Sequence, residues 1–307
     1  MPLSDDIYER AVPLRPVPRG LPLLVLLTGF TDAGGVVAGL IERFRENESR
    51  EVLGMFDNDV LLDYRARRPI ITFDRDHLTD FRPARLELTL EHDLLGQPFL
   101  LLSGYEPDFA WEAFAEVVLD LADEYAVTGM TWLHAIGMPV PHTRPLGVTV
   151  SGNRSDFIEA QSVWQPHTQV PATAGHLLEY RFVQEEVPVA GLVLLVPHYL
   201  AETEYPGAME IALEKMTAAT GLVFPEDGLA DSDREFRERV DEQVAGNEDL
   251  QRMLSGLEQR YDAYSAGRST DEGETLLGGA PLPSADEIAA ELERFLATRP
   301  RPDEDAS

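Results

Sequence analysis

Leu23-Leu24-Val25-Leu26-Leu27-Thr28-Gly29-Phe30-Thr31-Asp32-Ala33-Gly34-Gly35 runs from five consecutive apolar residues into a turn that holds three glycines. An unbroken apolar run suits a strand covered on both faces, because a strand with one wet face alternates apolar and polar side chains. The turn then opens a helix predicted from about Gly35 to Glu46. The first turn of such a helix presents backbone N–H groups with no partner inside the helix. In open α/β sheets this strand-to-helix crossing is where ligands settle. Asp32 therefore has two readings. It is an acid/base or hydroxyl-binding group beside the N–H groups of Gly34 and Gly35, or it is a cap whose carboxylate accepts the first N–H groups of the helix. The glycines do not meet the G-x-G-x-x-G spacing of a dinucleotide site.

Outward from this stretch the chain alternates. Strands are predicted at 22–28, 51–56, 69–73, 84–91, 98–104, 129–136, 147–151 and 187–196. Phe99-Leu100-Leu101-Leu102 and Leu192-Val193-Leu194-Leu195-Val196 again suit strands covered on both faces. Helices are predicted at 107–126, 172–184 and 206–219, the last ending at Gly221. In the first of these, Phe114, Val117, Val118, Leu121 and Tyr125 fall at helical spacing and form a core stripe. Alternation of this kind predicts an α/β fold with a mostly parallel sheet and helices on both faces.

The composition changes near Pro225. Residues 226–307 carry 22 acids and 9 basic residues, a net of −13 over 82 residues. One or two long charged helices are predicted over 232–265, with a further helix at 285–298. The expected organisation is an irregular proline-rich arm (1–20), an α/β core (21–225), an acidic helical appendage (226–298) and a disordered tail (299–307). The arm is expected to lie over the surface or across a neighbouring subunit.

Charge and composition exclude several classes of function. The net charge is −30, which argues against nucleic acid and against an anionic membrane as partners. There are no cysteines, so disulfides, thiolate metal sites and thiol catalysis are excluded. No apolar run reaches 18 residues and the first residues lack a basic region, so no membrane span or secretory signal is expected and the expected location is cytoplasmic. Lys215 is the only lysine and sits in a helical pattern with no glycine-rich loop before it, which disfavours Schiff-base chemistry and a P-loop.

Three polar clusters follow three strand ends, the way an α/β site is assembled. The first is the Gly29–Gly35 turn. The second is Pro139-Val140-Pro141-His142-Thr143-Arg144-Pro145, with donors suited to an anion or a ribose-like hydroxyl, followed by Ser151-Gly152-Asn153-Arg154, which is read as a candidate to face the same crevice. The third is Pro197-His198-Tyr199-Leu200 with Glu202, Glu204 and Tyr205. Candidate ligand-binding residues are thus Gly29, Thr31, Asp32, Gly34, His142, Thr143, Arg144, Asn153, His198 and Glu204. No confident catalytic residue emerges: there is no G-x-S-x-G elbow, and no H-x-x-x-H or H-E-x-x-H spacing, so no metal and no cofactor are expected.

At these residues the chain resembles the proteasome assembly chaperone family of the second-subunit type, in its actinobacterial branch. The resemblance lies in Gly29-Phe30-Thr31-Asp32-Ala33-Gly34, in Gly137-Met138-Pro139 with Pro141-His142-Thr143-Arg144-Pro145, and in Val196-Pro197-His198-Tyr199-Leu200 with Tyr205-Pro206. It covers about residues 20–225. It implies a three-layer phosphorylase/hydrolase-like core, oligomerisation with a trimer as one arrangement, and a non-enzymatic interaction protein with proteasome subunits as partners. Archaeal relatives dock through a hydrophobic-tyrosine-any-residue tail. The given sequence ends Asp303-Glu304-Asp305-Ala306-Ser307, so that docking mode is not expected. Two alternatives stand beside the chaperone reading. One is a purine nucleoside phosphorylase-like enzyme, with the Asp32 turn and Arg144 holding an anion while His198 or Glu204 meets a ribose. The other is a small anion- or nucleoside-binding module.

Overall fold

A computed structural model describes residues 7–266 apart from 48, 165 and 166. The predicted helix at 285–298 and the tail at 299–307 lie outside the described residues. Strands β1 (Tyr8–Arg10), β2 (Pro22–Thr28) and β3 (Glu51–Phe56) and helices α1 (Val36–Arg45) and α2 (Asn58–Leu61) come first. A hairpin of β4 (Ile70–Asp74) and β5 (His77–Arg82) follows, then β6 (Leu86–His92), β7 (Pro98–Tyr105) and α3 (Trp111–Glu124). The chain continues through β8 (Gly129–Met138), β9 (Val148–Gly152), α4 (Ser155–Gln161), α5 (Ala174–Gln184), β10 (Val189–Pro197) and α6 (Pro206–Thr220). It closes with α7 (Leu229–Ala245) and α8 (Glu248–Ser265).

Eight strands form one sheet in the order β1-β3-β6-β7-β2-β8-β10-β9. The pairs β7/β2, β2/β8 and β8/β10 are parallel. The flanking pairs β1/β3, β3/β6, β6/β7 and β10/β9 are antiparallel. The sheet is therefore mixed, and the parallel pairing read from the sequence is confined to its centre. The antiparallel flank was not foreseen because a hairpin and a crossover leave similar apolar runs; only the length of the connection separates them.

Helices cover both faces. Leu24 and Leu26 of β2 enter one core with Val36, Leu40, Ile41 and Phe44 of α1 and with α6. Leu23 and Val25, pointing the other way, enter a second core with Phe114, Val117, Val118 and Leu121 of α3 and with α5. Period-2 alternation within one apolar strand thus feeds two cores, which is why the run shows no polar positions. Phe236 and Val240 of α7 belong to the first core, and Phe236 stacks on Tyr205 at 4.9 Å between ring centroids.

The structure corrects the reading of the N-terminal arm, because Tyr8–Arg10 is an edge strand whose Tyr8 packs on Phe56. A three-residue strand of Tyr8, Glu9 and Arg10, with one aromatic side chain, does not stand out beside the prolines that follow. Of the one or two charged helices expected over 232–265 there are two, separated at Gly246-Asn247, where the Asn247 side chain accepts from the N–H groups of Asp249 and Leu250.

Candidate functional site

All four parallel strands end at the same edge of the sheet, and the three polar clusters meet there. The Gly29–Gly35 turn is fastened to the β10–α6 connection by two backbone bonds, Gly34 N–H to Ala201 O (2.8 Å) and Tyr205 N–H to Gly34 O (2.9 Å). Gly34 has φ +75°, and a Cβ there would press on the Tyr205 side chain at 3.3 Å, so glycine is required by both conformation and space. The β8–β9 loop touches the same connection. The Tyr199 hydroxyl accepts from the His142 backbone N–H (2.8 Å) and pairs with its Nδ1 (2.7 Å), and His198 Nδ1 lies 3.4 Å from Met138 O.

The polar side chains at this edge are mostly engaged within the chain. Asp32 accepts from Val37 N–H (2.8 Å) through Oδ1 and from Ala38 N–H (2.9 Å) through Oδ2, so its carboxylate caps α1. Burial raises its pKa, and the N–H groups of Ala38, Val37 and Val36 pull the other way. His142 is buried, and its Nε2 is 3.1 Å from Asp241 Oδ1 on α7. Thr143 donates to Glu258 (2.6 Å), and Arg144 holds Asp262 through two bonds (2.8 and 2.7 Å) and Glu258 through a third (3.2 Å). Glu258 and Asp262 lie one turn apart on α8, so one guanidinium fork spans both. The Tyr261 hydroxyl adds a bond to Pro145 O (2.9 Å).

Asn153 does not join them. Strand β9 runs antiparallel to β10, which carries Asn153 to the opposite edge of the sheet. There its amide accepts from Val189 N–H (2.8 Å) and donates to Val187 O (2.9 Å). The expectation that 151–154 faces the crevice assumed a parallel strand. Glu204 and His198 are exposed, with Glu204 beside Gly35 and His198 edge-on to Tyr199. Thr31 is 3.0 Å from His134 Nε2.

That last contact leads to a group the sequence reading passed over. Glu106 follows β7 directly, and its Oε1 accepts from Ala174 N–H (2.6 Å) at the start of α5. Gly29 lies against the Glu106 side chain so closely that no Cβ fits, which explains the first glycine of the turn. Thr173 and His176 form a capping box for α5, and the His176 ring stands 6.4 Å from that of His134. Burial, with His176 as a lesser cause, pushes the His134 pKa down to about 4, so its imidazole is neutral at pH 7. The cavity between Gly29, Glu106, Trp132, His134 and Thr173 measures about 10 Å³, the size of one water. The signals were present: a lone acid at a strand end, and a histidine interrupting an apolar strand.

A helix-covered mixed sheet whose strand-end loops are bound to one another by their own polar groups defines an α/β protein. A model of the PAC2 family matches residues 26–244. The chain belongs to the PAC2 family, the proteasome assembly chaperone family whose motifs its strand-end loops carry. It is similar to the Mycobacterium tuberculosis protein of unknown function Rv2714, with 36% identity over 85% of this chain and 90% of that one and a TM-score of 0.79. A Corynebacterium glutamicum protein of unknown function shares 32% identity over 86% of this chain and 99% of that one, with a TM-score of 0.81. The Mycobacterium tuberculosis proteasome-assembly chaperone homologue Rv2125 shares the fold, with 18% identity over 76% of this chain and 100% of that one and a TM-score of 0.69. No curated protein matches. Among the described residues no helix is long and apolar enough to cross a membrane.

Proposed function

We propose that this chain is an assembly-chaperone-like interaction protein that acts in the cytoplasm as a homo-oligomer, without catalysing a reaction, and that its partners are proteasome subunits. Family membership supports the class of function. One structural observation supports the non-enzymatic part: the N–H groups of the Asp32 turn and Arg144, which a phosphorylase-like site would use for its anion, are already given to carboxylates, those of Val37 and Ala38 to Asp32 and the guanidinium to α8. A guanidinium with two carboxylates at hydrogen-bond distance has little attraction left for a third anion. The reading keeps a phosphorylase/hydrolase-like core at 21–225 and a helical appendage from 226, which the acidic residues of α7 and α8 fasten to the β8–β9 loop.

The experiment is assembly of proteasome subunits from the native host with and without the purified chain, followed on native gels. Faster appearance of assembled rings, or a stable complex with one subunit type, is expected. No complex with any subunit and no change in rate would refute the partner. Release of free base from nucleosides and phosphate would refute the non-enzymatic reading.

A further inference from the structure

At the edge of the sheet away from the three polar loops, a cavity of about 310 Å³ opens between α1, α6 and the β6–β7 turn. Strand β6 runs antiparallel to β7, so His92 pairs with Pro98 where β7 begins, and Asp93 and Leu94 follow at that edge. Leu40 and Phe44 of α1, Leu213 of α6 and Phe224 form the apolar floor. The Phe44 and Phe224 rings meet edge-on at 5.8 Å, and they meet Phe99 the same way at 6.1 and 5.8 Å. The mouth is fixed as well: Leu94 N–H donates to Val223 O (2.9 Å) and Val223 N–H donates to Asp93 Oδ2 (2.9 Å). A floor of interlocked rings below a hydrogen-bonded mouth is a preformed site rather than a gap that collapse would fill. Leu94 is 62% exposed where it lines the cavity, so an occupant with an apolar body would cover it.

The rim has an unusual charge for this molecule. Arg43 and His92 line it, and the one acid there, Asp93, is already engaged: Oδ1 accepts from the N–H groups of Leu95 and Gln97 (2.9 and 2.7 Å) and Oδ2 from that of Val223. Arg43 has a single hydrogen bond, to the backbone oxygen of Asp227 (3.0 Å), and among the described residues it has no ion pair. Two larger clefts show the opposite pattern. One, between α1 and the start of α7, is also bordered by Arg43 but is lined by Glu42, Glu46, Glu204 and Asp227. The other, between α3 and α5, sets Glu116, Asp120, Asp123 and Glu185 against Arg181 alone. In a chain of net −30, a cavity whose free side-chain charge is positive is matched to an anion. The carboxyl end of α1 lies beside it with a partial negative charge. Its last carbonyls are met, however, Glu42 O by Glu46 N–H (3.1 Å) and Phe44 O by Asn47 N–H (3.2 Å), so Arg43 sets the sign.

We propose that this cavity binds a small apolar carboxylate, its body on Leu40, Phe44, Leu213 and Phe224 and its carboxylate on the Arg43 guanidinium with a ring N–H of His92. A guanidinium fork suits the two oxygens of a carboxylate, and the volume is that of a compact ligand pocket. None of the three polar loops takes part, so this site is separate from the candidate site at the other edge of the sheet.

The test is calorimetric titration of the full chain with octanoate and with phenylbutyrate. Octylamine and octanol serve as probes with an apolar body but no negative charge. At least one of the two carboxylates should bind at a single site, at least about tenfold more tightly than octylamine or octanol. In the bound chain, hydrogen exchange should slow at residues 94–97 and 222–225, which frame the mouth. Arg43→Glu should weaken carboxylate binding by at least about tenfold and improve that of octylamine, with circular dichroism as the check on folding. The milder pair Arg43→Gln with His92→Gln should weaken the carboxylate without favouring the amine. Binding of neither carboxylate, or octylamine binding as tight as theirs, overturns the proposal. Carboxylate binding that is indifferent to both sets of changes, or that slows exchange only elsewhere, overturns it by placing the carboxylate at another site.

Discussion

Replacing Asp32 by alanine separates a scaffold turn from a ligand site. In the folded chain the Asp32 carboxylate receives the N–H groups of Val37 and Ala38 at 2.8 and 2.9 Å. Val37 is buried, so the loss of its acceptor leaves a donor that water cannot easily reach, at a cost of about 1–3 kcal/mol. Ala38 is exposed, and water takes over its bond at little cost. Loss of negative charge at the helix start adds roughly 0.3–1 kcal/mol. Against this, the raised pKa of Asp32 records that its charge is held in a partly desolvated place, and alanine relieves that penalty. The balance is a destabilisation of about 1–2 kcal/mol, in line with other cap deletions. For a chain of this size it corresponds to roughly 2–6 °C in Tm. Asp32→Asn keeps one acceptor oxygen and should fall between the two. Urea unfolding followed by tryptophan fluorescence at pH 7 gives the free energies. An alanine variant as stable as the wild type, or more stable, would refute the capping argument, because polar groups held ready for a ligand typically cost stability and their removal restores it.

Two further outcomes follow from the same geometry. Burial lifts the Glu91 carboxyl on β6 to about 7, so between pH 4.5 and 7 the folded chain keeps a proton that the unfolded chain has released, and stability falls as pH rises through that window. Glu91→Gln removes this slope, and its stability relative to the wild type should improve by roughly 2–3 kcal/mol from pH 5 to pH 8; an unchanged difference would defeat the assignment. Arg144→Glu places a third carboxylate against Glu258 and Asp262, so hydrogen exchange across residues 248–265 should quicken while the central strands stay protected; unaltered exchange in α8 would show that Arg144 does not hold it.

The sheet centre was legible because burial on both faces leaves a direct mark: β2 begins and ends at the residues read from its apolar run, β7 runs one residue past the predicted 98–104, and α6 stops at Gly221, whose φ of +76° only glycine adopts easily. Strand direction left no such mark. An antiparallel β9 has the same composition as a parallel one, and that single ambiguity moved Asn153 to the far edge of the sheet. At the candidate site the loops were identified and their convergence is real, but a residue type does not name its partner. Arg144 suits a phosphate and a pair of helix carboxylates equally well, and the helix that supplies them lies more than a hundred residues downstream. Glu106 and His134 were passed over because a single acid at a strand end and a single histidine within a strand have no spacing to flag them; only the fold brings them to one cavity.

The acidic excess gives the charge distribution its meaning. With 55 acids and 25 lysines and arginines, a basic side chain on this molecule has more potential partners than it can serve. Two arginines are each used on two acids at once: Arg144 on Glu258 and Asp262, and Arg50 on the buried Glu87 and Glu91. The hairpin arginines make only local pairs. Arg75 is 91% exposed and reaches its neighbour Asp74 only at 4.0 Å, although acids abound elsewhere on the surface. Random placement would scatter such arginines among the acids, where each would lessen the repulsion of the folded state. Their concentration on one apolar projection instead leaves that repulsion in place.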